Sequence, residues 1–220
     1  MQLTVFNGSP RGKKSNTAIL LEHFLKGFME IEGNSSEIVY IVENRDREKR
    51  AGIFRNAPHV ILAFPLYVDC MPGIVKSFIE SIKPLCGRQG NPSVGFIVQG
   101  GFPEAYHSRF VERYLRKFAT RLNSPYAGCM IRGGFEGTPS MPRFMTRGIF
   151  SHIYELGKTY GKTGTFDDGL VARLASPEHL SVLRRAFFRL GLFLGLPHMY
   201  WDRQLKANNA LKKRFDRPFA

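Results

Sequence analysis

Ser9, Arg11, Ser15, Asn16 and Thr17 crowd three hydroxyls, an amide and a guanidinium into one stretch, VFNGSPRGKKSNT, which begins at Val5. Gly8 and Gly12 lie among them and let the backbone approach a ligand closely. Such a donor set suits an anion, and phosphate in particular, because the arginine fork meets phosphate oxygens in pairs. The apolar run Leu3 to Phe6 precedes the stretch. Helical spacing of Ile19, Leu20, Phe24, Leu25 and Phe28 follows it, so a helix is expected from about Asn16 to Glu30. The donors therefore fall at a helix N-terminus, where free N–H groups and the helix dipole favour negative charge. An ordinary strand-to-helix turn is also rich in small polar residues, but seldom this densely beside an arginine.

Nucleotide hydrolysis fits poorly. The phosphate loop of the NTPases, GxxxxGK followed by Ser or Thr, needs glycine at position 7 and a hydroxyl at 14, where this chain has Asn7 and Lys14. The apolar runs Val60–Phe64 and Ser93–Val98 run into Pro65 and Gln99, not into a magnesium-binding aspartate. Gly157-Lys158-Thr159 and Gly161-Lys162-Thr163 have His152 and Leu156 where the pattern requires glycine. A GxGxxG dinucleotide fingerprint is absent.

The surrounding elements alternate. Leu3–Phe6, Glu37–Val42, Val60–Phe64, Ser93–Val98 and Tyr126–Ile131 read as strands, apolar enough for a sheet buried on both faces. Helices are expected after Pro72 and from Pro103, the latter with Tyr106, Phe110, Tyr114, Phe118 and Leu122 on one face and arginines on the others. This alternation predicts an α/β fold: a flavodoxin-like three-layer sandwich with a five-stranded parallel sheet. After Arg132 come a Gly/Pro-rich loop (Gly133–Pro142), helical stretches at about Arg143–Tyr160 and Pro177–Gly195, a loop YGKTGTFDDG between them, and a basic tail, Trp201–Ala220. One domain spanning 1–220 is expected, with residues 1–132 as the binding core and 133–220 as a helical C-terminal extension packed on it.

Ligands of open α/β sheets bind at the carboxyl ends of the strands. Two more loops share that edge with the first. Pro65, Leu66, Tyr67, Val68 and Asp69 offer a flat ring and stiffened backbone, while Gln99, Gly100 and Gly101 let a planar group lie against bare main chain. Phosphate at one end and a flat heterocycle at the other is the shape of an FMN site.

NGSPRGKKSNT resembles the FMN phosphate loop of the NADPH-dependent FMN reductase family, PLYVDCMPGIVKSFIE resembles its second signature, and Gln99-Gly100-Gly101 fits the third. The resemblance covers roughly residues 1–132. It implies bound FMN, NADPH or NADH as reductant, and a small-molecule electron acceptor such as a quinone, free flavin or nitro compound. It also implies a homodimer, Ser9, Arg11, Ser15, Asn16 and Thr17 around the phosphate, and Pro65–Asp69 with Gln99–Gly101 along the isoalloxazine. The compact cysteine cluster of iron–sulfur relatives is missing, so no iron–sulfur centre is expected. No side chain is assigned as a catalytic acid or base. A flavodoxin-like carrier that holds FMN without oxidising NAD(P)H, and a non-catalytic nucleotide-binding module, are the alternatives.

The chain carries a net charge of +14 over 220 residues. Such a surplus favours anionic partners, whether phosphate groups, nucleic acid or acidic membrane, and because the basic residues run along the whole length a nucleic-acid tail is discounted. Cys70, Cys86 and Cys129 show no metal-ligand spacing. Scattered free thiols, with neither a signal peptide nor a membrane-spanning run, point to the cytoplasm. Cys70 is expected as a small buried filler, and His107, His152 and His198 as packing or surface residues. The apolar stretch Phe187–Leu196 beside Arg184, Arg185 and Arg189 has two readings. It is an interfacial membrane helix or, on the core-like spacing of Leu180, Leu183, Phe187 and Leu190, a core or subunit-contact face, and the second is preferred.

Overall fold

The computed structural model describes residues 1–44, 46–138 and 141–216. Its contacts divide the chain into two units, Met1–His179 and Leu180–Ala220.

The first unit holds five strands: β1 (Gln2–Asn7), β2 (Ser35–Tyr40), β3 (His59–Pro65), β4 (Ser93–Gln99) and β5 (Tyr126–Arg132). All pair in parallel in the order β2-β1-β3-β4-β5, the flavodoxin-like order. Register aligns their carboxyl ends: Asn7 lies opposite Ala63, Pro65 opposite Gln99, and Gln99 opposite Arg132. Its helices are α1 (Asn16–Phe28), α2 (Arg47–Asn56), α3 (Gly73–Ser81), α4 (Arg109–Leu122), α5 (Arg143–Thr163) and α6 (Asp168–Leu174).

Side chains alternate across each strand and so feed two cores. Phe6, Val60, Leu62, Phe64 and Phe96 pack with α2, α3 and α4. Leu3, Val5, Ile61, Ala63 and Met130 pack with α1, α5 and α6. The layer of α1 and α5 is drawn together by glycine. A Cβ on Gly27 would overlap the Tyr154 carbonyl oxygen, and one on Gly157 would overlap that of Phe24. The Gly157-Lys158-Thr159 triplet is thus a helix-packing feature.

Several boundaries differ from the sequence expectation. The segment after Pro103 is a short 3₁₀ turn (Ala105–Ser108) before α4. Its Ala105 and Tyr106 N–H groups donate to the carbonyls of Pro177 and Glu178 at 3.0 and 3.3 Å. The buried stripe of α4 is Val111, Leu115, Phe118, Ala119 and Leu122, whereas Tyr106, Phe110 and Tyr114 are exposed. A line of strict i, i+4 steps drifts by about 40° per step around the helix, so only its end reaches the sheet. The loop expected at YGKTGTFDDG is shorter. α5 continues to Thr163 before the left-handed Gly164, and α6 begins at Asp168 under the cap of Asp167, whose Oδ1 accepts from Leu170 N at 2.8 Å. Helix α2 has no counterpart in the sequence reading, although Asp46 caps it by accepting from Lys49 N at 3.0 Å.

The second unit contains α7 (Val182–Phe193), α8 (Leu196–Ala207) and a 3₁₀ turn, Leu211–Lys213. α7 starts at Val182 because Ser181 Oγ caps it, accepting from Arg184 N at 3.3 Å. The expected start at Pro177 fails because Glu178 is held in a fork with the Arg109 guanidinium at 2.7–3.1 Å. No residue of α7 is buried, which overturns the core reading of Leu183, Phe187 and Leu190. Much of the basic tail is the helix α8, and residues 217–220 of that tail lie outside the described residues. No described helix is long and apolar enough to cross a membrane.

Candidate functional site

The loop between β1 and α1 is fixed by its own short-range bonds. Gly8 N donates to the Ala63 carbonyl at 2.7 Å and ties the loop to β3. A Cβ there would overlap Val75 Cγ2 of α3, so the position requires glycine. Ser9 N donates to Asn7 Oδ1 at 2.9 Å, and Arg11 N to Ser9 Oγ at 3.3 Å. Gly12, at φ +54, opens a 3₁₀ turn over Gly12–Lys14. Ser15 then caps α1: its Oγ accepts from Ala18 N at 3.1 Å and donates to the Gly12 carbonyl at 2.6 Å. The N–H groups of Asn16 and Thr17 belong to the first helical turn and have no intrahelical acceptor. Ser9, Ser15 and Thr17 are buried while the Arg11 side chain is 58% exposed, so the hydroxyls shape the loop and the guanidinium reaches outward. Asn7 Nδ2 is buried at the end of β1 without an acceptor.

The second loop leaves β3 at Pro65. Leu66 N donates to the Gln99 carbonyl at 2.7 Å. Tyr67 and Cys70 exchange backbone bonds at 2.8 and 3.0 Å around Val68 and Asp69, whose φ angles are +48° and +60°. Two successive positive φ values define a primed two-residue turn, which normally selects Gly and Asn. A β-branched residue there stores about 1–3 kcal/mol of strain. Val68 is 93% exposed at the tip, and Tyr67 is exposed beside it. Cys70 is exposed too, contrary to its expected burial, because the turn lifts it off the sheet. Asp69 Oδ1 lies 3.1 Å from His107 Nδ1, and Glu104 Oε2 lies 3.8 Å from His107 Nε2, so His107 bridges two carboxylates.

The third loop joins the first through Gln99, whose Nε2 donates to Thr17 Oγ1 at 3.4 Å. Gly100 N donates to the Arg132 carbonyl, and Phe135 N to the Gly100 carbonyl, both at 2.9 Å. Gly100 and Gly101 take ordinary φ angles, and a Cβ on either would come no closer than 3.7 Å to Leu66 or Glu136. The fold tolerates a side chain at both positions, so their bareness leaves space along the sheet edge.

A residue the sequence reading did not single out completes the edge. Glu136 accepts from Asn16 Nδ2 through its carbonyl at 3.0 Å and its Oε2 at 3.2 Å, and its Oε1 lies 3.8 Å from Arg11 Nη1. Its signal was topological. The Gly133–Gly134 loop follows β5 and so falls on the same carboxyl-end edge. Arg132 supports this side by donating from Nη1 to the carbonyls of Leu174 and Ser176 at 3.1 and 3.4 Å, and burial lowers its pKa. Beneath, burial pushes the Cys129 thiol well up, so it stays protonated.

The observed donors and space suit a phosphorylated planar ligand. The helix N-terminus and Arg11 offer an anion site, Asn7 Nδ2 offers an unused buried donor, and Gly100–Gly101 offer bare backbone for a flat group. Asn16 and Arg11 are engaged by Glu136, whose carboxylate is the kind of group an incoming phosphate would replace.

The sequence matches no protein-family model and no curated protein. Solved structures do resemble it. An FMN-dependent NADH-azoreductase from Bacillus anthracis str. Ames Ancestor in complex with FMN is 12% identical, with 73% of this chain and 100% of that one covered at a TM-score of 0.58. An NAD(P)H:quinone oxidoreductase from Methanothermobacter marburgensis is 13% identical, covering 72% and 96% at 0.58. The apo form of an NADH:FMN oxidoreductase is 16% identical, covering 80% and 96% at 0.55. At these identities the likeness is one of architecture, and with the observed strand order it makes the chain a flavodoxin-like α/β protein.

Proposed function

We propose that the protein is an FMN-dependent NAD(P)H oxidoreductase that passes electrons from NADPH or NADH to a quinone, free flavin or similar small acceptor. The observation that carries this reading is the sheet edge itself. An anion-binding helix N-terminus with Arg11 stands next to glycines that leave room for a flat ring. Solved structures of like architecture, an FMN-dependent NADH-azoreductase, an NADH:FMN oxidoreductase and an NAD(P)H:quinone oxidoreductase, support it. In this reading Arg11, Asn16 and the first-turn N–H groups of α1 bind the phosphate. Ser9, Ser15 and Thr17 hold the loop in shape. Pro65, Leu66, Tyr67, Val68 and Asp69 would line the isoalloxazine, joined by Gln99, Gly100 and Gly101. FMN, when bound, supplies the hydride-accepting and electron-donating chemistry. The protein's residues position the ring. Residues 1–132 act as the binding core, completed by Glu136.

We place the protein in the cytoplasm, consistent with three unpaired cysteines. A homodimer is supported by the exposed Phe102, Tyr106, Phe110 and Tyr114, which form an apolar strip beside the site.

Titration of FMN fluorescence tests the site. The protein should quench it, and Arg11→Ala should weaken the affinity by about tenfold or more, the expected value of a charge-assisted pair. Unchanged affinity would remove Arg11 from the site. Steady-state oxidation of NADH or NADPH with a quinone separates an enzyme from a flavin carrier, which gives almost none.

A further inference from the structure

Counted by unit, the charge is uneven. Residues 180–220 hold nine lysines and arginines against two aspartates, a net +7, which is half of the +14 of the whole chain. One of the aspartates, Asp202, is taken by Arg214 Nη1 at 2.9 Å to both oxygens. α7 has no acidic residue at all.

Most apolar residues of α7 and its cap form an arc, while exposed Phe188 and Leu192 lie on the opposite side. Leu183, Phe187, Leu190 and Leu194 recur at i, i+4, i+7 and i+11, and Val182 and Phe193 widen the band. Phe187 is 64% exposed and Phe193 87% exposed. Arg184, Arg185 and Arg189 flank the arc. α8 adds exposed Met199 and Trp201. At 12 residues α7 is about 18 Å long, too short to cross a hydrocarbon core of about 30 Å.

We infer that α7 and α8 form an interfacial element that seats the protein on an anionic lipid surface. Aromatic and leucine side chains enter the headgroup boundary, and the flanking arginines meet lipid phosphates. Charge selects this occupant. A second copy laid on the same face would bring Arg184, Arg185 and Arg189 against their own kind, with no acid on α7 to answer them. Nucleic acid would satisfy the cations but leave the leucines in water. The inference is independent of the cofactor reading.

Co-sedimentation of the full chain with vesicles tests it, with its sole tryptophan, Trp201, as the spectroscopic probe. Phosphatidylcholine vesicles containing phosphatidylglycerol should bind the protein about tenfold or more tightly than phosphatidylcholine alone, with a blue shift of Trp201 emission and release on raising salt. The double variant Phe187→Ser, Phe193→Ser should lose this binding and keep its thermal unfolding midpoint, since neither side chain is buried. Equal binding to neutral and anionic vesicles, or none to either, overturns the proposal. So does a dimer that the double variant splits in sedimentation analysis, which assigns the face to a second copy. So does duplex DNA binding that survives the double variant in a protein that ignores vesicles.

Discussion

Helices α4 and α7 look alike as sequences. RFVERYLRKFATRL and VLRRAFFRLGLF both mix arginine with phenylalanine and leucine at helical spacing. Yet α4 buries Val111, Leu115, Phe118, Ala119 and Leu122 against the sheet, and α7 buries nothing. The charges differ as well. Arg109 of α4 is shared between Glu112 and Glu178 at 2.7–2.8 Å, whereas α7 carries arginines and no acid. Periodicity says that a face will be covered. It does not say by what, and the balance of acid and base along the helix is the better guide to whether the cover is protein.

The largest effect that sharpens this contrast is Leu115→Ala. Leu115 is fully buried, so the loss should be about 2–5 kcal/mol in urea unfolding of the sheet unit. A cost below about 1 kcal/mol would mean that α4 is no better covered than α7. Next comes Gly157→Ala, where a methyl would overlap the Phe24 carbonyl of α1. Forcing α5 off α1 should cost about 1–3 kcal/mol, and a neutral result would show that the two helices do not pack through glycine.

A smaller effect is set by pH. The hydrogen bonds from Arg109 hold Glu178 below its usual 4.5, with the Arg109 charge adding to them. A carboxylate depressed in the folded state contributes stability above its unfolded pKa and loses it as pH falls through the folded one. The thermal midpoint should therefore drop as pH falls below 4.5, and Glu178→Gln should flatten that acid limb. An unaltered limb would show that the pair adds nothing. The smallest effect belongs to Phe187→Ala, expected within about 0.5 kcal/mol. A loss of more than about 2 kcal/mol would reveal that α7 is covered after all.

The sheet was largely legible. β3 and β4 are continuous apolar runs bounded by turn residues, and such runs have few readings. α2 was hidden because only Arg50 and Phe54 of its REKRAGIFRN are buried, too few to show a period. α6 was hidden by its length, although its cap, Asp167, was visible. At the proposed site, the structure gathers the expected residue types along one sheet edge, but residue types alone do not show what each group does. Ser15 reads as a ligand donor, yet its hydroxyl is engaged as a helix cap. The turn at Val68 and Asp69 runs against backbone preference and had no sequence signal. Glu136 lies far along the chain from Arg11 and Asn16, and only the parallel topology brings them together.

The central claim is that the three loops hold FMN and that a nicotinamide reduces it. Its most direct test is the visible spectrum of the purified protein after FMN is added and the excess dialysed away, followed without oxygen on adding NADH or NADPH. A retained flavin spectrum that bleaches with one or both nicotinamides is the expected result. A colourless protein after dialysis would contradict the cofactor assignment, and a flavin spectrum unchanged by either nicotinamide would contradict the reductase assignment and leave an electron carrier.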